Sequence, residues 1–96
     1  MATFISLVNF TDQGIRNIKE SPDRYEAFAA GAEKAGVTVK AVLYTVGQYV
    51  MVLIVEGSGP AAVAALLTVG SLGNVRSQTL RGFSVDEMRK IIASIP

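Results

Sequence analysis

Histidine and cysteine are both absent from this 96-residue chain, and each absence closes a class of chemistry. Without cysteine there is no disulfide framework and no thiolate nucleophile, and the chain is indifferent to the redox state around it. A reducing cytoplasm suits it. Without histidine, the side chain most used as a general base near neutral pH is missing, as is the commonest metal ligand. Catalytic triads and ordinary zinc sites are thereby excluded. The eight acidic residues are scattered over predicted helices and turns, not gathered as a carboxylate metal site requires. Neither a metal nor a bound cofactor is expected.

A strong charge of either sign is also lacking. Nine basic and eight acidic residues leave a formal charge of +1 and are mixed along the chain. Nucleic acid binding needs a basic stripe or patch, so nucleic acid is not an expected partner. Long hydrophobic runs are missing too. The stretch Ala61 to Val69, between Pro60 and Gly70, is less than half of the about twenty residues a helical membrane span needs, and no membrane partner is expected. Met1-Ala2-Thr3-Phe4 leads into a strand-like run with no basic start or cleavage site, so no signal peptide is predicted. In their place stands an apolar surplus: 50% of residues are hydrophobic and only 18% charged, against about 25% charged in an average soluble domain. One domain over residues 1–96 is expected, and a chain this small hides only about 60 to 65 per cent of its unfolded surface by itself. Part of the surplus is expected to face a partner.

The segment Gly47-Gln48-Tyr49-Val50 separates two apolar runs, Val37 to Val46 and Met51 to Val55, and reads as a joint between two strands. Ahead of it, Thr3 to Phe10 reads as a strand with Phe4, Ser6, Val8 and Phe10 on one side and Ile5, Leu7 and Asn9 on the other. Both sides are mostly apolar, so something must cover both, and a second subunit is the economical cover. Thr11 to Gly14 reads as a turn, followed by a helix-compatible Ile15 to Lys19. Ser21-Pro22 opens a helix to about Ala35, with Tyr25, Phe28, Ala29 and Ala32 on one stripe. A second strand, Val37 to Val46, is predicted to alternate Val39, Ala41, Leu43 and Thr45 against Lys40, Val42, Tyr44 and Val46. A third runs from about Tyr49 to Glu56.

Gly57-Ser58-Gly59-Pro60 breaks the third strand and opens a helix bare of charge that ends near Gly70. Gly73 to Arg81 gives a fourth, more polar strand, and Ser84 with Glu87 has capping-box spacing before a helix carrying Met88, Ile91, Ile92 and Ile95. The order βαββαβ, with an extra C-terminal helix, is that of an α+β ferredoxin-like fold: an antiparallel four-stranded sheet with helices on one face.

The polar residues offer a short list of sites, each with a plain structural alternative. Gly57-Ser58-Gly59 and Gly70-Ser71-Leu72-Gly73 match no phosphate-loop fingerprint and read as turns, although amides at the Pro60 helix start can hold an anion. Asp12, Gln13 and Arg16 are a ligand group or a turn with an exposed charge. Tyr44 and Tyr49, near the central joint, line a pocket or serve packing at an interface. Period two sets Arg76 and Gln78 on one face of the fourth strand, with Asn74 and Leu80 beside them. One fixed cation and two amides suit a carboxylate or a polarised carbonyl, and the same set also suits an ordinary surface strand. Arg81, on the opposite face, is expected to hold the following turn.

The runs Phe4 to Gly14, Gly47-Gln48-Tyr49 and Gly73 to Arg81 together resemble the GYD-domain family, and the likeness covers nearly the whole chain. The resemblance implies a ferredoxin-like fold of the dimeric α/β-barrel type, a homodimer or higher homo-oligomer, and a largely uncharacterised function. The family's Gly-x-Tyr-Asp element is present here as Gly47-Gln48-Tyr49, with Val50 in place of the acid. A role of that aspartate in proton transfer or ligand orientation is absent from this chain. A role in pinning the joint leaves valine as a simple extension of the strand. Related barrels include oxygenases, haem-degrading enzymes, isomerases and sensing domains, and fold alone does not choose among them. The expected function is small-molecule binding by a homo-oligomer, with Tyr44, Tyr49, Asn74, Arg76 and Gln78 as the residues facing a small organic ligand. A cofactor-independent oxygenase or isomerase, and a structural interaction module without ligand, are the alternatives.

Overall fold

The computed structural model describes residues 2–96. Its elements follow in the order β1 (Ala2–Phe10), α1 (Asp12–Arg16), a 3-10 turn (Ile18–Glu20), α2 (Ser21–Lys34), β2 (Thr38–Tyr44), β3 (Met51–Gly57), α3 (Gly59–Ser71), β4 (Val75–Gly82) and α4 (Val85–Ala93). The four strands form one antiparallel sheet in the order β2-β3-β1-β4. This is the ferredoxin-like α+β fold that the element order predicts.

β3 shows most clearly how the sequence makes the sheet. Met51, Leu53, Val55 and Gly57 are buried, while Val52, Ile54 and Glu56 between them are only half-buried. The buried set faces α2 and α3, and with Val8, Ala32 and Val37 it forms the core. Ser6 is fully buried on the same side, where its hydroxyl shares a hydrogen bond of 3.0 Å with Thr79 of β4, which removes the penalty of hiding an unpaired hydroxyl.

Local chemistry departs from the sequence reading at several points. Thr11 to Gly14 is not an open turn: Thr11 caps the short helix α1, its hydroxyl accepting from Gly14 N at 3.1 Å. The same hydroxyl donates to Gly73 O at 2.5 Å, and Thr11 N donates to Asn74 O at 3.1 Å, so α1 is pinned against the approach to β4. Ser21 does not cap α2. It is buried inside the first turn, and its hydroxyl meets Tyr44 Oη at 2.8 Å.

β2 does not keep a simple alternation. Val39 lies opposite Val55 while Ala41 lies opposite Ile54, so Lys40 is an extra residue at a bulge. A bulge flips the facing of everything after it. Val39 and Val42 therefore both pack on the core, and Ala41 and Leu43 turn to the other face. β3 starts at Met51 rather than Tyr49. The joint before it is closed by Thr45 N to Val50 O at 2.9 Å and by Thr45 Oγ1 to Tyr49 O at 2.5 Å. Gly47 takes φ of 149° there, a region that a side chain would resist.

Two helices carry the apolar surplus outward. α3 is capped by Ser58 and has Pro60 in its first turn, and although Ala62 and Leu66 are buried, Val63, Leu67 and the C-cap residue Leu72 are exposed. α4 has the full capping box: Ser84 Oγ accepts from Glu87 N at 3.1 Å and Glu87 Oε1 accepts from Ser84 N at 2.9 Å. It is not among the helices packed on the sheet, and Val85, Met88, Ile91 and Ile92 are all exposed. The chain is elongated as a result. Its radius of gyration is 14.6 Å, whereas a compact domain of this length has about 12.5 Å.

Candidate functional site on the open sheet face

Cross-strand register builds the face opposite α2 and α3 row by row. Leu43, Val52, Leu7 and Gln78 form one row, and Ala41, Ile54, Ile5 and Leu80 the next. Six of these eight side chains are leucine, isoleucine or valine, and neither α2 nor α3 covers them. Leu43 is 66% exposed and Leu80 43%, values that matter because they lie on a sheet face and not in a loop. At one end the face is closed by an ion pair, Lys40 Nζ to Glu56 Oε1 at 3.7 Å. Both partners are well exposed, so the pair adds little stability.

At the other end the face turns polar. Asn9 stands opposite Arg76, and Tyr49, just ahead of β3, reaches across β1 to donate its hydroxyl to Gln78 Oε1 at 3.1 Å. Arg76 is exposed and has no ion-pair partner among the described residues. A guanidinium held on a strand, an amide whose oxygen is engaged by Tyr49 and whose nitrogen is left for a ligand, and the Asn9 amide can together receive a carboxylate or a polarised carbonyl.

The five residues expected from sequence are thus divided. Tyr49, Arg76 and Gln78 share the open face. Tyr44 turns to the helix side, where it bonds Ser21, because the Lys40 bulge and the Met51 pairing fix its facing. Asn74 precedes β4 and does not continue the Arg76–Gln78 row; its Oδ1 accepts from Gln13 Nε2 at 3.1 Å. Asn9 joins the site without being among the residues expected from sequence. Its period-two relation to Leu7 is visible in the sequence, but its position beside Arg76 depends on the β1–β4 register. Arg81, on the helix side, donates to Thr3 O at 3.3 Å and lies 4.4 Å from the Phe83 ring centroid, so it does hold the turn after β4.

A cavity of about 470 Å³ lies elsewhere, between α2 and α3 above the sheet. Asn74 and Ser77 reach it, but Arg76 and Gln78 do not. Among the described residues no three acidic side chains are gathered as a metal set, and no helix is long and apolar enough to cross a membrane.

Fold and face together define a small α+β protein with a ferredoxin-like sheet whose second face is apolar, open and polar at one end. The chain belongs to the GYD-domain family, whose model matches residues 4–92. A relative from Thermus thermophilus, the glutamine synthetase and cystathionine beta-lyase binding protein, is 34% identical over 90 residues, covering 92% of this chain and 95% of the relative. The solved structure of FFRP-DM1 superposes with a TM-score of 0.58 over 86% of this chain and all of its own, at 16% identity, a likeness of fold. Val50, where the family has its acid, donates its backbone N–H to Val8 O at 2.9 Å and so lengthens the sheet.

Proposed function

We propose that the protein is a small-molecule-binding homo-oligomer, in its simplest form a dimer whose two sheets close face to face over Ile5, Leu7, Val52 and Ile54. The observation that supports this reading is the open face itself. Apolar surface left in water forgoes about 25 cal/mol for each Å² that burial would hide, and a contiguous exposed patch of this kind marks an interaction surface. Two closed faces would put Tyr49, Gln78, Asn9 and Arg76 at the walls of an enclosed space. Away from bulk water their bonds to a carboxylate or carbonyl would strengthen. The ligand class that fits is a small organic acid or carbonyl compound.

Native mass spectrometry of the protein purified gently from its host tests both halves. The expected result is a dimer or higher oligomer carrying an added mass, and loss of that mass in Arg76→Ala. A monodisperse monomer at micromolar concentration overturns the assembly. An oligomer that stays empty and binds no small organic acid overturns the ligand.

A second reading is favoured by the Thermus relative, which is named for binding two enzymes, glutamine synthetase and cystathionine beta-lyase. In that reading the exposed apolar residues of α3 dock such an enzyme. Co-elution of this chain with purified glutamine synthetase, abolished by Leu67→Glu, is the expected outcome; separate elution of the two wild-type proteins removes this reading.

A further inference from the structure

Two apolar patches stand at opposite ends of the sheet, and among the described residues neither is covered. At one end is α4. Val85, Met88, Ile91 and Ile92 fall within an arc of about 120° at helical spacing, and all four are exposed, as is Ile95 just past the helix. Asp86, Glu87, Arg89 and Lys90 take the other arc. α4 follows the end of β4, where Gly82 pairs with Thr3. At the opposite end is the tip of the hairpin that joins β2 to β3, beside Val8, whose carbonyl accepts from Val50 N. Leu43 is exposed there and Val46 is fully exposed, and no residue from Ala41 to Val55 carries a charge. From Thr3 to Val8 the two ends are about 17 Å apart along β1.

Area says how much of this surface a stable dimer needs. A standard interface takes about 800 Å² from each partner, of which about 500 Å² is apolar in a homodimer. The open sheet face falls short of that. Leu43, Leu80 and the half-buried Ile5, Leu7, Val52 and Ile54 expose roughly 250 Å² at most, taking about 100 Å² for a fully exposed aliphatic side chain. Val46 and the apolar arc of α4 raise the total to roughly 600 Å² on the same scale. Symmetry says how they are reached. Sheets packed face to face keep their strands nearly aligned, so a two-fold axis between the sheets and across the strands sets each end of one sheet over the opposite end of the other. The helix and the hairpin tip then meet twice in one closed dimer, whereas head-to-tail pairing would leave one of each open.

We infer that in the two-sheet dimer proposed above, on which this inference rests, α4 of each protomer lies on the hairpin tip of a second copy, with Met88, Ile91 and Ile92 against Leu43 and Val46. The charged arc of the helix stays in water. Asn9, Tyr49, Arg76 and Gln78 stand at the same end of the sheet as the tip, so the partner's helix walls the polar site on that side. The site on each sheet is incomplete in a single chain.

The chain has no cysteine, so single thiols report contacts without background. Val46→Cys and Ile92→Cys are made as separate full-length proteins, mixed, and treated with a short bismaleimide, which tolerates small differences of register. The mixture is expected to form covalent dimer at least about tenfold faster than either protein alone, since docking raises the local concentration of the two thiols. Equal rates overturn the inference, as does a cross-link formed within one chain when both cysteines are present. Both side chains are exposed, so neither change threatens the fold. In sedimentation equilibrium, Val46→Asp is expected to raise the dimer dissociation constant at least about tenfold, because it buries a charge against an apolar helix; a dimer as tight as the wild type overturns the inference too. Native mass spectrometry of the wild type separates the two readings. A wild-type dimer whose mixed cysteines do not cross-link removes the α4 contact and leaves the two-sheet dimer standing, whereas a wild-type monomer removes both.

Discussion

Gly14 and Gly31 show how differently one added methyl group acts at two positions. A Cβ at Gly14 would lie 1.8 Å from Asn74 O, the oxygen that already accepts from Thr11 N, and neither backbone can yield without opening the corner that joins β1 to β4. Gly14→Ala is expected to cost about 2 to 4 kcal/mol, in the range of severe overpacking and broken buried bonds. A Cβ at Gly31 meets nothing within 4 Å and sits inside α2, so Gly31→Ala is expected to add about 0.5 to 1 kcal/mol through helix propensity. Urea unfolding of the two variants checks the pair, and a Gly14→Ala protein as stable as wild type would mean that the α1 corner is not tightly packed. The importance of Gly14 is invisible in the sequence, because its neighbour Asn74 is sixty residues further along.

At the scale of elements, α4 is the least supported. Its nine residues fall below the about 12 to 15 at which an isolated helix becomes even marginal in water, and it is not packed on the sheet of its own chain. What it does have is its capping box. The backbone N–H of Ser84, bonded to Glu87, is the main cause holding the Glu87 carboxyl below the usual glutamate range. A carboxylate depressed in the folded state stabilises fully above its unfolded pKa, and that contribution is lost as pH falls through the lower folded value. α4 is therefore expected to lose helicity below the ordinary glutamate pKa of about 4.3. The Glu87→Gln protein should show a weaker acid transition in far-UV circular dichroism. An identical acid transition in both would exclude Glu87 as its source. The capping box is legible in the sequence because its two partners are three residues apart. The Lys40 bulge of β2 is not, since an extra residue exists only relative to the strand it pairs with.

For the whole molecule, the decisive quantity is the apolar face that α2 and α3 leave open. Val52 stands in the middle of that face, between Leu7 and Leu43, and is not part of the buried core. If two copies close over it, Val52→Lys places two like charges in a dry interface, at a cost that a dimer of this size does not survive. The variant is expected to sediment as a folded monomer where the wild type sediments as a dimer. A Val52→Lys protein that remains dimeric would move the interface to α3 or α4.

The order of the four strands and the helix starts at Ser58 and Ser84 were determined by the sequence alone, because each depends on residues within a few positions of one another: Gly and Pro at the breaks, loose alternation in β1, a short apolar run in β3, a hydroxyl ahead of α3 and of α4. The apolar surplus likewise implies an open surface from composition alone, since a chain of this length has too little interior to hide it. Tertiary structure alone decided which residues meet. Tyr49 reaches Gln78, Tyr44 turns away to Ser21 and Asn9 comes beside Arg76, since strand register and one bulge set those distances. The cavity between α2 and α3 is also a tertiary fact, for a void is the distance between two helices and no local pattern encodes it.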